Sequence, residues 1–258
     1  MRGFAAMMLL LALPFAALGA SNAEFAELPG GNFRTALKYE DSKGDTAVAP
    51  FALMRKPVTN ADFLAFVGIH PDWRRDRVAR VFAEPRYLSH WAGRTTLEPQ
   101  ALAAQPVVQV SWFAAQAYCQ AQGARLPTWI EWEYAAAADE TQRDARGDPA
   151  WRERILSWYS RPSNQALQRA GLQAPNVYGV QDLHGLVWEW VDDFSALLVD
   201  ADNRSEADGT TSKFCGAGAL SMDDREHYAV LMRVAMLSAL NAEDTTGNLG
   251  FRCAKDIE

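Results

Sequence analysis

The chain has 258 residues, of which 49% are hydrophobic and 22% charged, and it carries a formal net charge of −7. This length and apolar content support one substantial core, and no internal repeat, coiled-coil heptad or low-complexity stretch is visible. The acidic balance, without any cluster of Lys and Arg, excludes nucleic acid and anionic membranes as expected partners and points to neutral or basic ones.

The first residues read as a leader. Arg2 precedes an apolar run from Phe4 to Leu18, and Gly19, Ala20, Ser21, Asn22 and Ala23 follow. The run is too short to cross the ~30 Å hydrocarbon core of a bilayer as a helix, and Pro14 interrupts it. Residues 1–23 are therefore expected to be a secretory signal peptide, with cleavage after Ala23 or, alternatively, after Ala20 or Gly19; an uncleaved anchor is the other reading. Residues 24–258 would then form the mature domain, periplasmic or secreted and free of the membrane. Three cysteines follow the leader, Cys119, Cys215 and Cys253. In an oxidising compartment two should pair and one should remain, and without a CxxC neither zinc nor thioredoxin-like chemistry has support.

Residues 24–50 mix glycine, charge and small side chains, which suggests short strands and turns. Thr59 offers an N-cap hydroxyl to a helix over Asn60–Val67 that Gly68 would close, with Phe63, Phe66 and Val67 on one face. Residues 70–105 are polar, punctuated by proline and dotted with aromatics, as expected of an ordered excursion over the core. Ser111 can cap a helix from Trp112 to about Gln122, with Gly123 at its left-handed end. Thr128 and Glu131 form a capping box for a further helix through Ala138. Residues 139–153 read as a charged, solvated stretch, and 200–213 as a polar loop. Near the C-terminus, Tyr228–Leu237 is apolar and strand-like. In the closing strand, Leu249, Phe251 and Cys253 share one face, and Gly250 and Arg252 the other.

Several blocks, taken in order, carry a resemblance: Pro57–Asn60, Pro106–Trp112, Arg125–Thr128 with Glu131–Tyr134, Tyr178–Gly179 with Asp182, Gly185 and Trp188–Trp190, and Asn248–Cys253. From Phe51 to Lys255 the chain resembles the formylglycine-generating enzyme family, also called sulfatase-modifying factors. The resemblance implies an α+β fold, a single irregular mixed domain of the C-type-lectin-like type with little regular secondary structure. It also implies a disulfide between Cys119 and Cys253, leaving Cys215 as the odd thiol.

The departures from the family pattern bear on chemistry. Aligning Arg233-Val234-Ala235 with the family's "RVAA" places its two catalytic cysteines at Asp224 and Ala229, so the soft dithiolate that suits Cu(I) is not expected and copper is not implied. The preceding "RGGSF" block reads Cys215-Gly216-Ala217-Gly218-Ala219. Leu186 stands where the family has an asparagine near a calcium site, which weakens any calcium binding.

The residues left to carry a reaction are His227 as general base, Asp224, Arg225 to orient an anionic group, and Cys215, whose thiol Lys213 could activate; the alternatives are a solvated loop histidine and an inert buried cysteine. His184 reads as structural, and Trp112, Trp132, Trp188 and Trp190 as packing. No spacing of histidines and carboxylate suits a non-haem iron site. The expected function is an exported maturation factor acting on a protein, peptide or peptide-derived metabolite. If it is an enzyme, it is an oxidoreductase-type modifier without the copper site, and Tyr87–Gly93 inclines toward the nitrite-reductase-accessory subgroup. The rival readings are a non-catalytic binding or chaperone-like module on the same groove, and a cysteine oxidase with its thiol shifted to Cys215.

Overall fold

The structure is a computed structural model that describes residues 24–36, 45–98, 101–160, 165–197 and 228–257, with only the backbone given for 228–231. The predicted leader, the loop over 200–213 and the predicted reactive residues Cys215, Asp224, Arg225 and His227 lie outside the described residues.

The two ends of the described chain meet in one sheet. Strand β1 (Phe25–Leu28) and strand β4 (Phe51–Met54) pair antiparallel, and β7 (Ala254–Asp256) adds to the other edge of β4. A separate pair, β2 (Gly31–Phe33) with β3 (Thr46–Val48), extends the turn-rich N-terminal part. Far along the sequence, β5 (Trp188–Glu189) and β6 (Leu249–Gly250) form a two-residue parallel ladder. The elements are short and mixed, as an α+β domain of this irregular type requires.

The capped helices form where local chemistry dictates. In α1 (Asn60–Ile69), the Thr59 hydroxyl accepts from the Asp62 amide while the Asp62 carboxylate accepts from Thr59 N–H, and Phe63, Phe66 and Val67 are buried. Gly68 does not end α1, which continues to Ile69 with His70 as its C-cap. Ser111 caps α2 (Trp112–Ala121), and Gly123 follows it at φ 62° as expected of a left-handed terminator. The Thr128–Glu131 capping box opens α3 (Trp129–Ala136), two residues shorter than the sequence suggested. Arg125 binds Glu131 with two short bonds of 2.7 Å and so steadies the box.

Three expectations need correction. Residues 139–153 are not simply solvated: Ala145, Arg146 and Trp151 are buried, and Asp148 caps a helix, α4 (Pro149–Tyr159), with proline at its start. The stretch from Tyr228 is not a strand but α5 (Tyr228–Ser238), because eleven residues rich in Ala, Leu and Met satisfy their backbone bonds internally. The closing strand is broken into β6 and β7. Leu249, Phe251 and Cys253 are buried as the alternation predicted, yet Arg252 on the opposite face is fully buried as well.

Aromatic rings join these elements into the core. Phe63 of α1 stacks on Tyr118 of α2 at a centroid separation of 5.9 Å, and Tyr118 meets Phe251 edge to face at 5.3 Å. Beside them Cys119 and Cys253 form the disulfide that the resemblance implied, with Cα atoms 5.5 Å apart. Tyr87, Leu88 and Trp91 of the long excursion are buried, and Trp91 Nε1 donates to Asn60 Oδ1 at 3.0 Å. Because the disulfide spans 134 residues of sequence, replacing Cys119 and Cys253 together by alanine is expected to cost roughly 4–5 kcal/mol of unfolding free energy in the chain-entropy model. Urea titration of the double variant measures this; a loss well under half that size would mean the bond closes little of the unfolded chain's freedom.

Candidate functional site

A cleft of about 270 Å³ opens between the end of α4, residues 165–168 and the turn that leads into β5. Its walls are Trp158 and Tyr159 from α4, Leu186 and Trp188 from the turn, and Asn248 from the start of β6. The parallel ladder places the last two side by side, since Trp188 N–H donates to the Asn248 carbonyl at 2.8 Å. The Tyr159 and Trp188 rings lie 5.2 Å apart, tilted by 34°. Gly185 makes the turn possible. It adopts φ 79°, and a Cβ there would come within 2.6 Å of the Trp158 ring.

Behind Tyr159 sits His184, buried among four rings: Trp132, Trp151, Trp158 and Tyr159. Its Nε2 is 2.8 Å from the Ala136 carbonyl, an acceptor only, so Nε2 carries the proton and Nδ1 accepts from the Tyr159 hydroxyl at 3.3 Å. Burial depresses the imidazole to about 4 and raises the Tyr159 phenol to about 12. Near neutral pH the pair is therefore uncharged. His184 positions Tyr159, in agreement with the structural reading of this histidine.

The charges lie one layer deeper. Arg252 binds the Glu189 carboxylate with two bonds, of 2.8 Å and 2.9 Å, and both side chains are 0% exposed. Arg252 also donates to the carbonyls of Met54 and Gln181, and Trp132 Nε1 donates to Glu189 Oε2 at 2.9 Å. A second guanidinium, Arg233 of α5, lies 3.5 Å over the Trp132 ring and donates to the Glu189 carbonyl. Burial lowers it to about 10, which leaves it protonated at neutral pH. Glu133 of α3 forms a second buried anchor, accepting from the Thr35 hydroxyl, the Ala36 amide and the Trp129 indole. Desolvation raises its carboxyl above the usual range.

The sequence-derived site residues lie outside the described residues, which resume at α5. His227 and Asp224 immediately precede α5, which packs against α4 and against the short turn Phe194–Ala196. Of the four tryptophans read as packing, Trp132 and Trp190 are fully buried, Trp112 is half-buried, and Trp188 is half-buried and lines the cleft. Trp158, Tyr159 and His184 were not read as a unit from sequence. The signal was present: Asp148-Pro149 opens a helix, and Trp151, Ile155 and Trp158 recur at helical spacing.

The metals of the family do not fit the described residues. Leu186 lines the cleft with an apolar side chain, the Asn248 carboxamide oxygen already accepts from Thr246 Oγ1 at 2.8 Å, and no group of three or more His, Cys, Asp or Glu converges among the described residues. That donor set falls short of the six to eight oxygens calcium takes. For copper, Cys119 and Cys253 are consumed by their disulfide, so the chain retains one thiol.

Comparison with known proteins finds relatives over most of the chain. The family profile described as Sulfatase-modifying factor enzyme 1-like domain covers residues 13–257. The chain is 31% identical to a formylglycine-generating enzyme of Streptomyces coelicolor, over 90% of this chain and 88% of that protein. It is 28% identical to the Bos taurus protein named inactive C-alpha-formylglycine-generating enzyme 2, over 88% of this chain and 86% of that one. Among solved structures, CarF shares the fold with a TM-score of 0.50 and 15% identity, over 91% of this chain and 98% of that chain.

The buried histidine gives a pH dependence. Its folded value of about 4 lies below the ordinary 6.5, so between these values the unfolded chain binds the proton and the native chain does not. Stability contributed by His184 is complete above pH ~6.5 and falls as the pH drops toward ~4, by on the order of 3 kcal/mol. Unfolding of the wild type and of His184→Gln, followed from pH 7 to pH 4, should differ by this slope; parallel profiles would place the imidazole in water.

Proposed function

The chain belongs to the sulfatase-modifying factor enzyme 1-like family, and from that premise we propose that it is an exported factor that modifies or matures a protein, peptide or peptide-derived metabolite by chemistry other than copper-dependent cysteine oxidation. The observation that carries this reading is the sulfur count. Of three cysteines, two are joined in the Cys119–Cys253 disulfide, and Cys215 alone cannot supply the thiolate pair that holds a soft copper ion. In the alignment read from the sequence, Ala229 takes the place of the family's second cysteine and falls in the first turn of α5.

In this reading the aromatic cleft grips an extended segment of substrate. Trp158, Tyr159 and Trp188 provide apolar faces, and Gln165, Gln168 and Asn248 provide hydrogen bonds to a peptide backbone. His227, Asp224, Arg225 and Cys215 are the groups assigned to act on it, with His227 as base. Export rests on the apolar leader ahead of residue 24, and among the described residues no helix is long and apolar enough to cross a membrane. The nitrite-reductase-accessory context rests on Tyr87–Gly93, whose Tyr87, Leu88 and Trp91 are core residues, so that assignment draws on scaffold and not on the site.

A second reading, docking without catalysis, is favoured by the inactive designation of the bovine relative. Incubation of the mature chain with a CxPxR peptide, copper(I) and oxygen, followed by hydrazide capture and mass analysis, is expected to give no aldehyde. Aldehyde that forms in the wild type and disappears in Cys215→Ala would overturn the proposal in favour of a shifted-thiol oxidase. His227→Ala and Asp224→Ala separate the two remaining readings, since they should abolish product formation by an enzyme and leave the affinity of a docking module intact.

A further inference from the structure

A second cavity, of about 180 Å³, lies on the far side of Trp158 from the cleft. It exists because the core is divided. Trp151, Ile155 and Ala145 form a small cluster of their own, and the space between that cluster and the main core is not filled by side chains. The volume is on the order of one that admits a benzene-sized group, so it suits a single side chain or small molecule and not a folded segment.

The walls have a definite chemistry. Trp151 stands nearly perpendicular to the His184 ring, at 88°, and Trp158 lies closer to parallel, at 25°, so the two indoles and the imidazole form three sides of a box. Ile155 and Leu183 add apolar surface, and among the described residues Asp139, Glu140 and Asp182 bring carboxylates to the lining against one cation, Arg154; Asp182 already accepts from the Gly171 and Gln173 amides, and burial raises its carboxyl above the usual range. That cation is already balanced, since Arg154 binds Glu140 through two bonds of 3.0 Å. Its guanidinium nevertheless stands 5.9 Å from the Trp158 ring centroid, so this indole already faces positive charge. Asp139 spends Oδ1 on Thr141 and Gln142 and is ionised, its carboxyl held below the usual range by those bonds against the cost of burial.

We propose that this cavity is a binding site for an alkylammonium group, the chemistry that ends a lysine side chain or a choline headgroup. Aromatic faces attract such ions through their quadrupoles, and a box of two indoles beside the ionised Asp139 carboxylate offers both cation–π attraction and charge complementarity. An anionic ligand would meet the carboxylates with Arg154 already engaged, and a neutral ligand would gain only the apolar contacts. His184 completes the box without opposing charge, since burial keeps its imidazole neutral. The site shares Trp158 with the cleft, but it does not depend on whether the chain modifies a substrate.

Calorimetric titration of the full chain at constant ionic strength tests this with three probes: butylammonium, choline, and the uncharged 3,3-dimethyl-1-butanol. Saturable binding is expected for at least one of the cations, about tenfold tighter than for the alcohol. A preference for butylammonium identifies a lysine-type ligand and a preference for choline a quaternary one. Trp158→Leu should weaken the cation by about tenfold, whereas Trp158→Phe, which keeps a π face, should stay within about threefold of the wild type. Glu140→Gln should weaken it as well. Equal affinity for the alcohol, or no saturable heat with either cation, overturns the proposal; both results come from the wild type and need no variant to fold.

Discussion

The scaffold is organised around one buried ion pair, Glu189 with Arg252. Neither side chain reaches solvent, so each must be compensated in full by the protein, and the compensation recruits residues from across the sequence. Arg252 satisfies its donors on Glu189 and on the carbonyls of Met54 and Gln181, while Glu189 also accepts from Trp132. Those residues come from β4, the loop before β5, α3 and the closing segment. A pair of this kind contributes little net stability by itself, but removing one partner leaves a charge in a low-dielectric interior, which costs about 3–5 kcal/mol. The constraint is therefore on arrangement: these four segments must meet at one place.

The cleft is a consequence of that meeting. Glu189 lies on β5 beside Trp188, so fixing the carboxylate inward fixes the neighbouring indole outward by the two-residue period of a strand. Arg233 then ties α5 to the same point through the Glu189 carbonyl and the Trp132 ring, and α5 is the element that begins directly after His227. The family framework is thus retained around the node.

Much of the scaffold was legible in the sequence, for physical reasons that differ by element. Thr59, Ser111 and Thr128 announced helices because a hydroxyl at the N-cap satisfies an amide that nothing else can reach. The disulfide followed from the family resemblance and not from spacing. The stretch Tyr228–Ser238 was misread because a continuous apolar run has no clear period; its length, beyond that of an ordinary strand, was the better guide. Residues 139–153 misled through their charge: Arg146 is buried because Asp144 binds it with bonds of 2.9 Å and 2.7 Å and the Arg34 carbonyl accepts from it. The Tyr159–His184 contact and the aromatic box join residues brought together only by the packing of α4 on the main core, and no local pattern encodes that.

A double-mutant cycle on Glu189→Gln and Arg252→Met, measured by urea unfolding of the otherwise unaltered chain, tests the organising role of the node most directly. Each single change should cost about 3–5 kcal/mol, and the double variant should be less destabilised than the sum by more than about 1 kcal/mol, because the second change removes a charge that the first left unpaired. Additivity within about 0.5 kcal/mol would show that the two side chains act independently and would contradict the account.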